Sequence, residues 1–132
     1  MAEAMGRGFD KAGIRYKIIN VATRDKSDLN VDLMRAKGII IGCCTVNNSV
    51  TRPIAALLDE IKSLRIKNKY AVGFGSFGWS GEAPKIINEK LKEAGSKVIM
   101  EPIAFKYKPN YDEIVKCEEY AIEFARKMNE EA

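Results

Sequence analysis

Apolar residues along this chain follow two alternating periods. Met1, Met5, Phe9 and Ala12 fall three or four positions apart, the spacing that gathers side chains on one helix face, and Gly13 follows as a stop signal. The pattern predicts an amphipathic helix that begins at or beside Met1 with no visible start. Tyr16 to Val21 is short, apolar and β-branched enough to predict a strand. Ser27 with Asn30 can cap a helix running to about Lys37. Gly38-Ile39-Ile40-Ile41-Gly42 has no polar interruption and reads as a strand buried on both faces.

The same alternation continues downstream. Thr51 and Pro53 mark a helix start, and Ile54, Leu57, Leu58 and Ile61 form one stripe that ends near Leu64. Tyr70 to Phe74 predicts the next buried strand. Pro84 opens a helix carrying Ile86, Ile87 and Leu91, which Gly95 ends. A last strand starts at Val98 and is interrupted or bulged by Pro102, spanning about 98–105. Asn110 with Glu113 predicts a capping box before a final helix striped by Ile114, Cys117, Ala121 and Phe124, with a polar tail at Asn129 to Ala132.

Strands alternating with helices at this spacing predict right-handed crossovers, a mainly parallel sheet and helices on both of its faces. Ligand loops in such a sheet lie at the carboxyl ends of the strands. The two most unusual segments, 43–49 and 75–81, both follow predicted strands and should share one edge. Glycines let backbone groups approach ring heteroatoms, aromatics stack, and Thr or Asn makes short polar contacts, so the pair suits a flat ligand. The bland alternative is that Trp79 covers its loop and Asn47 and Asn48 only form turns. Gly73-Phe74-Gly75-Ser76-Phe77-Gly78 also matches a dinucleotide fingerprint, with Glu101 downstream. Trp79-Ser80-Gly81 make that loop too long, because the third glycine should sit at the helix start.

Composition narrows the classes. At 132 residues, 46% hydrophobic and 30% charged, the chain has room for one domain with its own core and has no long apolar run for a membrane. No cationic leader with an apolar segment opens it, and three cysteines in an odd set fit a reducing, cytoplasmic compartment. With no histidine and no ligand-like acidic cluster, no metal site is expected. A net charge of +4 is mild, and the run Lys62, Arg65, Lys67 and Lys69 reads as a solvated helix end rather than a nucleic-acid patch.

Gly42-Cys43-Cys44-Thr45-Val46-Asn47-Asn48 and Gly73-Phe74-Gly75-Ser76-Phe77-Gly78-Trp79-Ser80-Gly81 resemble the two isoalloxazine-binding loops of the flavodoxin domain in flavodiiron proteins, the A-type flavoproteins. The resemblance runs through essentially the whole chain, including Met1 to Ala4 as the interior of that domain's first helix. It implies a flavodoxin-like three-layer α/β sandwich with its first strand absent, and FMN as cofactor. Thr45, Val46, Asn47 and Asn48 would flank one side of the flavin, and Gly75, Ser76, Phe77, Gly78, Trp79 and Gly81 the other. Cys43-Cys44 stands where the family usually has Ser-Pro, with packing as the expected role of the thiols.

By the same resemblance the first strand and a hydroxyl-rich phosphate loop precede the position of Met1. The chain is then a single domain, 1–132, truncated at its N-terminus, with weakened phosphate binding. The implied function is electron transfer through FMN with no catalytic residue, to a redox partner such as a di-iron domain on another chain, with homo-oligomerisation left open. Two other readings stay open: a cofactor-free partner or subunit-interaction module, and an NAD(P)H-dependent flavin reductase.

Overall fold

A computed structural model describes residues 1–131. It contains helices α1 (Ala2–Ala12), α2 (Lys26–Arg35), α3 (Arg52–Ser63), α4 (Ala83–Glu93) and α5 (Tyr111–Glu131). The strands are β1 (Gly38–Cys44), β2 (Tyr70–Phe77), β3 (Lys97–Val98) and β4 (Ile103–Lys106). Every ladder is parallel and every ladder includes β2, which pairs with β1 on one edge and with β3 and then β4 on the other. Helix α1 starts at Ala2 as expected, and the Asn110 and Glu113 side chains exchange bonds with each other's backbone N–H, the predicted capping box.

The sheet separates two apolar layers. Ile39, Ile41 and Ala71 point into a core with Leu29, Leu33, Leu57, Ile61, Ile87 and Leu91 from α2, α3 and α4. On the opposite face Ile40, Val72 and Phe74 meet Met5, Cys117, Ala121 and Phe124 from α1 and α5. Strands buried on both faces are what the uninterrupted Ile39-Ile40-Ile41 run predicts. Among the described residues no helix is long and apolar enough to cross a membrane.

Four expectations need correction. Tyr16 to Val21 is not a strand: residues 14–20 lack regular structure and 21–23 turn, because among the described residues no strand pairs with them. The cap of α2 is Asp25, whose carboxylate accepts from the N–H groups of Ser27 and Asp28. Strands β1 and β2 run further than expected, to Cys44 and Phe77, because pairing continues through Cys44 with Ser76 and Phe77 with Lys106. The polar segment Asn129 to Glu131 continues α5, where Arg126 bridges Glu123 and Glu130; Ala132 lies outside the described residues.

Pro102 does split the last strand, and the split creates a local deficit. Between the β3 and β4 ladders the N–H of Gly73 has no strand opposite it; it donates instead to Asn88 Oδ1 at 2.6 Å. The Asn88 amide in turn donates to the Met100 carbonyl at 3.3 Å. A buried side chain thus supplies the bonds that the ladder omits, and an unmet group there would cost about 1–3 kcal/mol.

Helices α1 and α5 approach closely at Gly8, where an added Cβ would lie 2.3 Å from the Glu118 carbonyl oxygen and 2.9 Å from the Ala121 methyl. Arg7 and Lys11 flank this contact and both bind the Glu118 carboxylate, at 2.9 and 2.7 Å. They hold that carboxyl below its ordinary range. The pair's stabilisation is therefore present above a pH of about 4.3 and is lost as pH falls through the lowered value. Gly8→Ala should lower folding stability by about 1–3 kcal/mol in denaturant unfolding, since overpacking against backbone outweighs the ~1 kcal/mol gain in helix propensity. A variant as stable as the parent or more so would show that α1 is not held this closely.

Candidate functional site

All ten residues singled out from the sequence lie at one edge of the sheet, at or just beyond the carboxyl ends of β1 and β2. The chain leaves β1 at Cys44 and makes a tight turn from Val46 to Ser49, closed by two reciprocal backbone bonds of 3.0 Å. Asn47 and Asn48 occupy its centre at φ of +52° and +59°. Two successive left-handed residues define a type I′ turn, and asparagine tolerates that backbone better than most residues with a side chain. The asparagines do form a turn, and its geometry fixes where the neighbouring polar groups sit.

Hydrogen bonds tie this turn to the second loop. The Thr45 N–H donates to the Ser76 carbonyl at 3.1 Å, and the Thr45 hydroxyl accepts from the Ala83 N–H, an orphan donor at the start of α4. Ser80 bonds Asn48 Oδ1 at 3.2 Å. Gly75 is buried within β2, where a Cβ would lie 2.2 Å from the Cys43 carbonyl. The Phe77 ring sits under Gly81, which could carry a Cβ only 3.0 Å from it. Phe77 therefore supports its own loop from below.

Trp79 is the outlier, 96% exposed at the tip of the second loop. Val46 and Cys44 are also exposed, whereas Cys43 is partly buried, which pushes its thiol above the ordinary range. A cation-poor, apolar-tipped pair of loops held by main-chain bonds offers a surface for a flat ring, with Gly78 beside it.

A third loop was not among the segments singled out from the sequence. It follows β4, and the Tyr107 N–H donates to the Phe77 carbonyl at 2.7 Å, joining it to the second loop. Tyr107 has φ of +57° and its ring lies against Gly78; Tyr107 is 67% exposed and Tyr111 81%. The available signal was Tyr107-Lys108-Pro109-Asn110-Tyr111, two aromatics after a strand with a turn between them. A cavity of 460 Å³ opens between this loop, Cys43, Cys44, Gly75 and Ser76, and the beginning of α1 at Met1 and Ala2. The N-terminal N–H groups of α1 have no side-chain cap, and Lys108 is the cation at the cavity's rim.

The dinucleotide alternative loses its geometry. Gly73 and Gly75 are inside β2, and the Gly73 N–H that a pyrophosphate would need is bound to Asn88. Glu101 lies in the bulge between β3 and β4, with its carbonyl accepting from the Tyr120 hydroxyl. No cluster of three or more potential metal ligands occurs among the described residues.

A flat ring at this edge calls for glycine where the backbone comes close, short polar groups and an uncommitted aromatic. Gly78, Thr45 and Trp79 offer those groups, whereas the space at Gly75 is taken by the Cys43 carbonyl. The flavodoxin family model matches residues 1–120. The anaerobic nitric oxide reductase flavorubredoxin of Aeromonas hydrophila is 36% identical over 129 residues, 96% of this chain and 26% of the relative. The chain thus spans about a quarter of the length of such curated relatives. Rubredoxin oxygen:oxidoreductase from Desulfovibrio gigas superposes with a TM-score of 0.92 at 29% identity, over 98% of this chain and 32% of that one. A flavodoxin from the domain Archaea gives 0.86 at 29% identity, over 97% and 87%. The chain belongs to the flavodoxin family, whose cofactor is FMN, and is homologous to the flavodoxin-like region of flavorubredoxin and flavodiiron proteins.

Proposed function

We propose that this domain holds FMN across the carboxyl edge of β1, β2 and β4 and passes electrons through it to a redox partner protein. The observation that carries this reading is the almost fully exposed Trp79 on a loop tied by hydrogen bonds to Thr45, Asn48 and Tyr107. An indole presented to water on a fixed support has no packing role within the chain, whereas it can stack on a flat ring. Thr45 and Val46 would border one side of the ring, Gly78 and Trp79 the other, and Tyr107 would close the edge.

Bound FMN supplies the electron-accepting and electron-donating chemistry. The chain's own groups bind, orient and shield it: Trp79 by stacking, the Val46–Ser49 turn by fixing the polar rim, and Phe77 by holding the second loop at its height. No side chain is asked to carry a proton or form a covalent bond. The partner is proposed to be a di-iron domain, as the names of the flavodiiron relatives suggest, and the cytoplasm is the proposed compartment.

The phosphate is the weaker half of the site. What faces the cavity beside Cys44 is the first turn of α1, with its free N–H groups and dipole, and Lys108. A helix end contributes about 0.3–1 kcal/mol to an anion when exposed and up to about 2 kcal/mol when partly buried. This chain should therefore bind FMN weakly and prefer it over riboflavin by less than roughly a hundredfold. Fluorescence titration with both ligands measures this, and nanomolar FMN binding would contradict it. Trp79→Ala should weaken both ligands about equally, by about 1–3 kcal/mol, the strength of a base stacked on an aromatic side chain. An unchanged affinity in that variant would remove Trp79 from the site.

A further inference from the structure

Helices α1, α3 and α4 end in the same way. The Ile14 N–H donates to the Phe9 carbonyl, Ile66 to Ile61 and Ser96 to Leu91, and the residue before each donor is left-handed. This closure favours glycine at the left-handed position, where a Cβ is costly. Gly13 and Gly95 fill it after α1 and α4, at φ of +71° and +95°. After α3 the residue is Arg65, at φ of +54°. Its side chain is kept against the preference of its own backbone, the kind of local strain that accompanies function.

Nothing inside the chain uses that side chain. Arg65 is exposed, and among the described residues it takes part in no ion pair. It stands in a basic surface made by two interlocked loops at the amino ends of β2 and β3. The Asn68 N–H donates to the Gly95 carbonyl at 3.1 Å and the Lys97 N–H to the Lys69 carbonyl at 2.8 Å. The Lys67 stem lies across Gly95, where a Cβ would be 3.1 Å from it.

These bonds place Lys62, Arg65 and Lys67 at the same end of the sheet as Lys92 and Lys97, and among the described residues none of the five has an ionic partner. No acidic residue occurs between Glu60 and Glu82, and Glu93 is held by Lys90. Complementing the helix dipoles accounts for Lys62 and Lys92, in the last turns of α3 and α4. It does not account for Arg65, Lys67 or Lys97, which lie beyond the helix ends.

We infer that this end of the domain docks an acidic patch on a partner protein, with Arg65 as its anchor. An arginine fork meets a carboxylate through two parallel bonds, which a lysine cannot do. Leu64, 40% exposed and next to Arg65, supplies an apolar contact that suits a protein surface and has no counterpart on a phosphate backbone. Nothing at this end would stack a nucleic-acid base: Trp79, Tyr107 and Tyr111 lie around the opposite edge, and the Tyr16 hydroxyl is bonded to Asp10. The eight residues of β2, at about 3.3 Å each, separate the two ends by roughly 25 Å. A partner seated here leaves the carboxyl edge free for a second protein.

Fluorescence anisotropy on the intact chain at low salt tests this, with a synthetic peptide of glutamate and aspartate around a central leucine as the probe. Arg65→Gly should weaken binding at least fivefold, the loss of one bidentate charge pair, and raise the melting temperature by about 2–5 °C as the backbone strain is released. Arg65→Lys should bind with intermediate affinity. Lys116→Gln, which removes the same charge from an exposed position on α5, should change affinity by less than about twofold. The inference is overturned by unchanged affinity in Arg65→Gly, by an equal loss in Lys116→Gln, or by tighter binding of a single-stranded oligonucleotide of matched charge. A melting temperature lowered by Arg65→Gly would equally overturn it, since the side chain would then be serving the fold.

Discussion

Strand β2 has to satisfy its backbone on both edges along its whole length, and the Asn88 side chain completes that requirement where the last strand breaks at Pro102. Among the described residues every other strand is attached only through β2. Its register with β1 sets Cys44 opposite Ser76, and its register with β4 sets Phe77 opposite Lys106. Those two pairings bring three loops to one edge at the same height. The position of Thr45, Trp79 and Tyr107 relative to one another is therefore a consequence of how one buried strand is paired.

Close packing supports the same arrangement from the two faces. Gly73 and Gly75 leave no room for a Cβ, because Ile87, Pro84 and the Cys43 carbonyl already fill it. This draws α4 onto β2 and places the start of α4 where the Ala83 N–H reaches Thr45. On the other face the α1 and α5 contact at Gly8 holds the beginning of α1 against the ends of β1 and β2. Core packing and site geometry here are set by the same residues.

Much of this was legible in the chain itself. The stripes of α3 and α5, the unbroken Ile39-Ile40-Ile41 run, the Asn110 and Glu113 box and the break at Pro102 are local signals, each with a local physical cause. The ten site residues shared one edge because their loops follow parallel strands. What was not legible depends on partners far away in sequence. Tyr16 to Val21 has the composition of a strand, yet a strand exists only if a ladder partner is present. Asn88 looks like any helical asparagine until β3 and β4 separate and leave the Gly73 N–H exposed to it. Tyr107 and Tyr111 gain meaning only when β4 carries them beside Gly78. Asp25 rather than Ser27 caps α2, since either residue satisfies the same preference and the chain's path selects between them.

Flavin is proposed to bind at the edge assembled by β2 and its two neighbours, and not in the apolar groove of 780 Å³ between β1 and residues 14–20. Chemical-shift mapping of the isotope-labelled domain during addition of FMN addresses it most directly. The largest changes should fall on the Trp79 indole N–H and on the amides of residues 44–48, 76–81 and 107–108, with residues 14–20 and 38–41 little affected. Largest changes along residues 14–20 and 38–41, or none at millimolar FMN, would contradict it.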